Sequence, residues 1–121
     1  MRDIRFRGKN FVGKWCYGYY LYDGQRGRHV ITDGMLDING VVPETVGQFV
    51  GAYDKNGKPV YEGDILKYRN YDVRGIEQDY IESVVYSDEC SFDPLTEELI
   101  WLRKDFEVIG NIHDNPELIE K

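Results

Sequence analysis

The chain is poor in the residues that build most active centres. Its 121 residues include two cysteines and two histidines. Cys16 and Cys90 stand 74 positions apart, form no CxxC and have no histidine neighbours. That excludes a zinc knuckle and leaves the expectation of two reduced thiols, at least one of them buried. His29 and His113 make neither HxH nor HExxH, so the usual metallohydrolase pattern is missing. Ser83, Ser87 and Ser91 lie in no Gly-x-Ser-x-Gly elbow, which removes the common serine-hydrolase signature. No apolar run reaches eighteen residues, so no segment reads as a membrane span. The opening MRDIRFRGKN lacks an apolar core and is not expected to be a signal peptide.

Positive charge is scarce in the second half. Met1 to Arg74 holds twelve basic and nine acidic residues; Gly75 to Lys121 holds three basic and thirteen acidic. Phosphate neutralisation needs clustered cations, so nucleic-acid binding starts at a disadvantage. A local patch of Arg2, Arg5, Arg7, Lys9 and Lys14 keeps that alternative open. The plainer expectation is that Arg5 and Arg7 mark a solvated edge strand, blunted by charge.

What the chain has is aromatics and glycine. Ten Tyr, five Phe, two Trp and thirteen Gly suit half-buried pleated strands joined by tight turns. Ile4 and Phe6 alternate with Arg5 and Arg7, and GKN is read as the first turn. Trp15, Tyr17, Tyr19 and Leu21 share one face of the next strand; both of its faces are partly apolar. Gly18 in its middle suggests a bend or a close backbone approach. DGQRG turns the chain into RHVIT, Asp33-Gly34 turns it again, and Met35 to Ile38 form a strand closed by Asn39-Gly40. Pro43 opens a single helical turn, and Gln48 to Tyr53 is a strand.

Farther along, Asn70 to Gln78 reads as a long loop tip and Asp79 to Ser87 as β-prone. Beyond Ser91 two patterns compete. Asp93-Pro94 with Glu97 resembles a helix start, with Leu95, Leu99 and Leu102 at helical spacing; LIWLR instead suits the second strand of a hairpin, the reading favoured by its neighbours. Phe106 to Ile112 is a strand. Asn115-Pro116-Glu117 caps a last helical turn, which Leu118 and Ile119 would pin to the body. The whole is a mainly β chain of nine or ten short antiparallel strands with one or two helical turns, a barrel with an added sheet.

The stretch DKNGKPVYEGDIL, Asp54 to Leu66, concentrates carboxylates and glycines. Read as a calcium loop from Asp54, it offers Lys58, Pro59 and Ile65 where an oxygen donor, a glycine and a glutamate are required. As a phosphate cradle it fails because Pro59 removes an amide and strand residues follow. Glu62 and Asp64 form a carboxylate pair without a readable third partner; carboxylates in tight turns ordinarily accept backbone amides. The remaining reading is a doubly turned ribbon, typical of small barrels.

Three stretches carry a resemblance. GQFVGAYDKNGKPVYEGDIL (Gly47 to Leu66) resembles the signature segment of the YopX family of phage and prophage proteins. EVIGNIHDNPELIE (Glu107 to Glu120) is similar to that family's closing segment. IRFRGK, WCYGYYLYDG and VVPETVGQF match its opening half, so the likeness spans nearly the whole chain. The motif positions are Asp54, Asn56, Gly57, Tyr61, Glu62, Gly63, Asp64, Gly110, Asn111, Asn115 and Pro116. Two departures stand out: Gly51-Ala52 where Gly-Leu is common, and a shorter first turn in GKNFVGKW.

The resemblance implies one YopX-like domain over 1–121, a β-meander over 1–42 and an SH3-like barrel region with the C-terminal helical turn over 43–121. It implies several short, strongly coiled sheets, an accessory role in phage or prophage and a bacterial cytoplasmic location. It carries over no catalytic residue, metal or cofactor. The expected function is therefore a non-enzymatic interaction module that binds a host or phage protein or itself, with no membrane partner. The alternatives are a nucleic-acid-associated protein, an acidic competitor of one, or a small enzyme using Glu62 and Asp64. Exposed Tyr19, Tyr20 and Tyr22 would serve stacking on bases or sugars, although cross-strand packing is their commoner use.

Overall fold

The computed structural model describes residues 5–35, 37–86, 92–93, 95 and 105–119. Among these are eleven short strands and two 3-10 turns, at Pro43–Thr45 and Pro116–Leu118. The chain divides into two compact units, Met1–Phe49 and Val50–Lys121.

In the first unit β1 (Phe6–Lys9), β2 (Trp15–Asp23), β3 (Arg28–Thr32) and β4 (Ile38–Gly40) hydrogen-bond in the order β4-β3-β2-β1. The start of β5 (Gly47–Tyr53) pairs with the other side of β1, through Phe6↔Gln48 and Arg7↔Gly47. β1 is therefore an interior strand, which corrects the expected solvated edge. Arg7 is 5% exposed. Its guanidinium lies 4.6 Å from the Trp15 ring centroid, and that of Arg5 lies 4.3 Å from Phe49. A planar, weakly hydrated cation can stack on an aromatic face where an ammonium would stay in water. Val30, Ile31, Val41 and Phe49 are buried in this unit. An isolated bridge, Asn10↔Val41, ties the end of β4 back to the end of β1. Gly18 fits the expected close approach, since a Cβ there would lie 2.3 Å from the Thr32 carbonyl oxygen.

The second unit holds the rest of β5, with β6 (Pro59–Tyr61) beside it. A three-stranded sheet follows in the order β11-β7-β8, from Glu107–Asn111, Asp64–Tyr71 and Glu77–Ser83. β9 (Val85–Tyr86) and β10 (Phe92–Asp93) form a small separate ladder. The core packs Ala52, Val60, Leu66, Tyr68, Val84 and Phe106 together. β7 feeds it by alternation: Leu66 and Tyr68 point inward, Lys67 and Arg69 outward. The two-residue β10 places Asp93 in a strand opposite Val85, against a helix starting there. Leu99, Leu102 and LIWLR lie outside the described residues, as do Arg2 and Cys90. Among the described residues no ladder closes these sheets into a barrel.

Three hairpin loops share one design. Asn10, Asp54 and Asp72 each accept, on Oδ1, the amides two and four residues ahead, at 2.8 to 3.1 Å. In each, the fourth residue is a glycine with positive φ, namely Gly13, Gly57 and Gly75. Its amide donates to the first residue's carbonyl. This local code moves two expected boundaries. The first turn is Asn10 to Lys14, not GKN, because Asn10 with Gly13 supplies the acceptor and the left-handed residue. The expected loop tip from Asn70 to Gln78 shrinks to Asp72–Ile76, because Asp72 closes it and both strands run on to meet. A related loop at Asp33, whose Oδ1 accepts the Met35 and Asp37 amides, displaces the expected strand from Met35 to Ile38. Asn39-Gly40 consequently belongs to β4 and is not a turn.

Candidate interaction site

The Asp54–Leu66 stretch is a structural corner. Asp54, 6% exposed, spends Oδ1 on the Asn56 and Lys58 amides, both at 2.9 Å. Its Oδ2 accepts the Val108 amide of β11 at 3.0 Å. Asp64 is 1% exposed and accepts the Tyr61 amide at 2.8 Å. Between them Gly63 adopts φ +93°. Its amide donates to the Val84 carbonyl at 2.9 Å, and its carbonyl accepts the Ile112 amide at 2.9 Å. Both carboxylates thus serve as backbone acceptors inside the fold, and the burial of Asp64 closes it to a substrate. Glu62 sits in the turn itself, half-buried.

The closing motif is a second lock. Asn111 accepts the His113 and Asp114 amides at 3.0 and 2.9 Å. Asn115 occupies the position before the Pro116–Leu118 turn but makes no side-chain cap. Its Oδ1 turns back to the Asn111 amide at 3.3 Å. A Cβ on Gly110 would lie 2.6 Å from that same oxygen, so glycine makes room for the asparagine. Leu118 and Ile119 remain partly exposed, against the expectation that they pin this turn.

Among the described residues two concave regions bear on function. The first is a cleft of about 400 Å³ in the second unit, lined by Lys55, Lys67, Tyr68, Arg69, Asp79 and Glu107 among others. Its charges largely answer one another: Lys55 to Glu107 at 3.4 Å and Arg69 to Asp79 at 3.1 Å. Such exposed pairs are worth little individually. Tyr68 is pushed up to about 12 by burial, with the negative charge of Glu82 adding to it. A phenol that resists ionisation has no use as a base near neutral pH. At the nearby hairpin tip the Arg74 guanidinium, hydrogen-bonded to Asp72, holds that carboxyl below its usual value, helped by the Ile76 amide.

The second is a groove of about 430 Å³ on the first unit, lined by Leu21, Tyr22, Val30, Thr32 and Ile38 with the Asp23–Gln25 turn. Val30 and Thr32, on β3, are its buried residues, and Leu21, Tyr22 and Ile38 its exposed hydrophobic ones. The β2 register sets Tyr19 opposite Thr32 and Leu21 opposite Val30. Opposed residues share a face, so Tyr17, Tyr19 and Leu21, all exposed, form one aromatic-aliphatic stripe that meets the groove at Leu21. Tyr20 belongs to the other face, where its hydroxyl meets His29 Nδ1. The alternation of β2 had indicated the stripe; Val30 and Ile38 were not foreseen, since a groove across three strands depends on register. Cys16 is a half-buried thiol whose pKa is pushed up by burial and by the negative charge of Asp37. Within the cationic patch Arg5 lies against Phe49, and Arg7 and Lys9 both approach the Trp15 ring.

Antiparallel ladders with two clamped backbone corners and an exposed aromatic sheet face define a mainly β protein built of several short antiparallel sheets. The family model described as YopX protein matches residues 5–120. The chain belongs to the YopX family. Among solved structures it is similar to the crystal structure of protein EF1440 from Enterococcus faecalis, with a TM-score of 0.64, 23% identity and coverage of 99% of this chain and 100% of that one. At that identity the likeness is one of fold. No curated protein matches the chain.

Proposed function

We propose that this protein is a non-enzymatic interaction module that binds a protein partner, or a second copy of itself, through the groove face of the first unit. The observation that carries it is the stripe of Tyr17, Tyr19 and Leu21 beside an apolar groove. Contiguous exposed apolar surface on a sheet face is a recurrent mark of protein docking. Of the carboxylate pair that an enzyme would have used, Asp64 is buried and accepts the Tyr61 amide. The same reading takes the protein as an accessory product of phage or prophage acting in the bacterial cytoplasm. It takes the second unit as an SH3-like barrel, supported by short antiparallel strands and the tight corner at Gly63. Among the described residues no helix is long and apolar enough to cross a membrane.

The test substitutes Tyr19→Asp and Leu21→Asp, both exposed, and compares capture of proteins from host lysate with the parent chain. Loss of a specific captured protein, or of a dimer seen by light scattering, is the expected outcome. A parent chain that is strictly monomeric and captures nothing would overturn the reading.

A further inference from the structure

The three hairpin loops of common design make their side chains directly comparable. In all three the loop is closed by its first residue and its fourth, a glycine; in the Asp72 loop the third residue, Arg74, adds a side-chain hydrogen bond to Asp72 at 2.9 Å. In the Asp54 loop the second and third positions are Lys55 and Asn56, ordinary polar loop residues. In the Asp72 loop they are Val73, fully exposed, and the charged Arg74; in the Asn10 loop both are apolar, Phe11 and Val12, 74% and 87% exposed. The turn itself does not require apolar groups there, and leaving them in water is unfavourable.

The tip has two further properties. Cations stand near it, although Arg28 lies 3.9 Å from the Asp23 carboxylate and Asp37 acts on the same Cys16 thiol as Lys14. Lys14 is exposed, and Lys9, half-buried, holds Nζ 5.5 Å from the Trp15 ring centroid. Phe11 and the Arg28 guanidinium are neighbours, since both come within 3.5 Å of the point where a Gly40 Cβ would stand. Its backbone is also largely satisfied from within. The Val12 and Lys14 amides donate to Asn10 Oδ1, the Gly13 amide to the Asn10 carbonyl and the Asn10 amide to the Lys14 carbonyl. A loop whose amides are paired internally can enter an apolar medium without the full cost of stripping them from water.

We propose that the Asn10–Lys14 tip is a peripheral docking point for an anionic membrane surface. Phe11 and Val12 enter the boundary between headgroups and acyl chains, while Lys14 and Arg28 face the lipid phosphates. The tip is convex and presents only two apolar side chains; a bilayer receives such a projection without a matching pocket. Cations from the tip and from the start of β3 complement a continuous sheet of negative charge. Two apolar side chains and a few cations give weak, reversible attachment. The earlier expectation of no membrane partner rested on the lack of a spanning segment, which a docking tip does not need.

Co-sedimentation of the full chain with vesicles tests this. Vesicles of mixed phosphatidylglycerol and phosphatidylcholine are compared with phosphatidylcholine alone at low salt. The expected result is partitioning about tenfold or more stronger onto the anionic vesicles. Phe11→Ser with Val12→Ser is expected to lose about tenfold of that binding, and Lys14→Glu about fivefold or more, with unchanged circular dichroism. In a separate variant, Val12→Trp, emission should shift to the blue when anionic vesicles are added. A parent chain that stays in the supernatant overturns the proposal, as does a double serine variant that binds like the parent. Unshifted Val12→Trp emission in vesicle-bound protein overturns it too. Capture of an acidic protein through this tip, without vesicle binding, assigns the surface to a protein instead.

Discussion

Asp54 and Val108, fifty-four residues apart in sequence, are joined by a single hydrogen bond of 3.0 Å from the Val108 amide to the Asp54 carboxylate. The same carboxylate closes its own hairpin through Asn56 and Lys58. One side chain thus fixes a loop and fastens that loop to strand β11.

Replacing that side chain should be costly. Asp54→Ala strands three amides, one of them in the middle of β11, and is expected to destabilise the fold by about 2–4 kcal/mol. Lys58 contributes its amide to the lock while its side chain is exposed, so Lys58→Ala should shift stability by less than about 0.5 kcal/mol. Urea midpoints for the two variants check the contrast. Equal midpoints would show that the lock does not hold the corner.

Gly63 combines a positive φ with a peptide clamped on both sides, to Val84 and to Ile112. A β-branched residue cannot adopt that backbone without strain, and the clamp prevents relaxation. Gly63→Val is therefore expected to lower the melting temperature sharply, at a cost of about 2 kcal/mol or more. An unchanged melting temperature would falsify the corner assignment.

Tyr68 provides a signal at high pH. Its phenol is pushed up to about 12 from the model-compound value of 10.0, first by burial and then by Glu82. Because the folded-state value is raised, stability is full below the unfolded value near 10.0 and is lost as pH climbs from there toward about 12. Absorbance titration should find a late-ionising tyrosine that Tyr68→Phe removes, and Glu82→Gln should bring it down toward 10.0. Ionisation of every tyrosine together near 10.0 would contradict this environment.

Much of the fold was legible because its causes are local. The alternation of β2 and β3, the Asp54 loop, the bend at Gly63 and the Pro116 turn each depend on residues within a few positions. The YopX segments could be recognised for the same reason. The Asn10 and Asp72 loops carried the same Asx-x-x-Gly pattern as Asp54, and an eye for that repeat would have placed both turns correctly. What failed were judgements of environment. Arg5 and Arg7 have the period of a solvated edge, and nothing nearby in sequence announces that β5 pairs with β1 and that Trp15 and Phe49 receive the two guanidiniums. Asn115 looked like a helix cap, but its oxygen satisfies the Asn111 amide across a space that only Gly110 leaves open.

The sequence by itself therefore determined a mainly β chain of the YopX family, the position of most turns and the unsuitability of Asp54–Leu66 for calcium or phosphate. Those conclusions follow from backbone conformational preference and ligand chemistry, which act over a handful of residues. Only the tertiary structure decided that Asp54 reaches Val108, that Arg7 is interior, that Leu21, Val30 and Ile38 share a groove and that Phe11 and Val12 stand in water. Each of these depends on which strands become neighbours and in what register, a choice made by the burial of the whole chain.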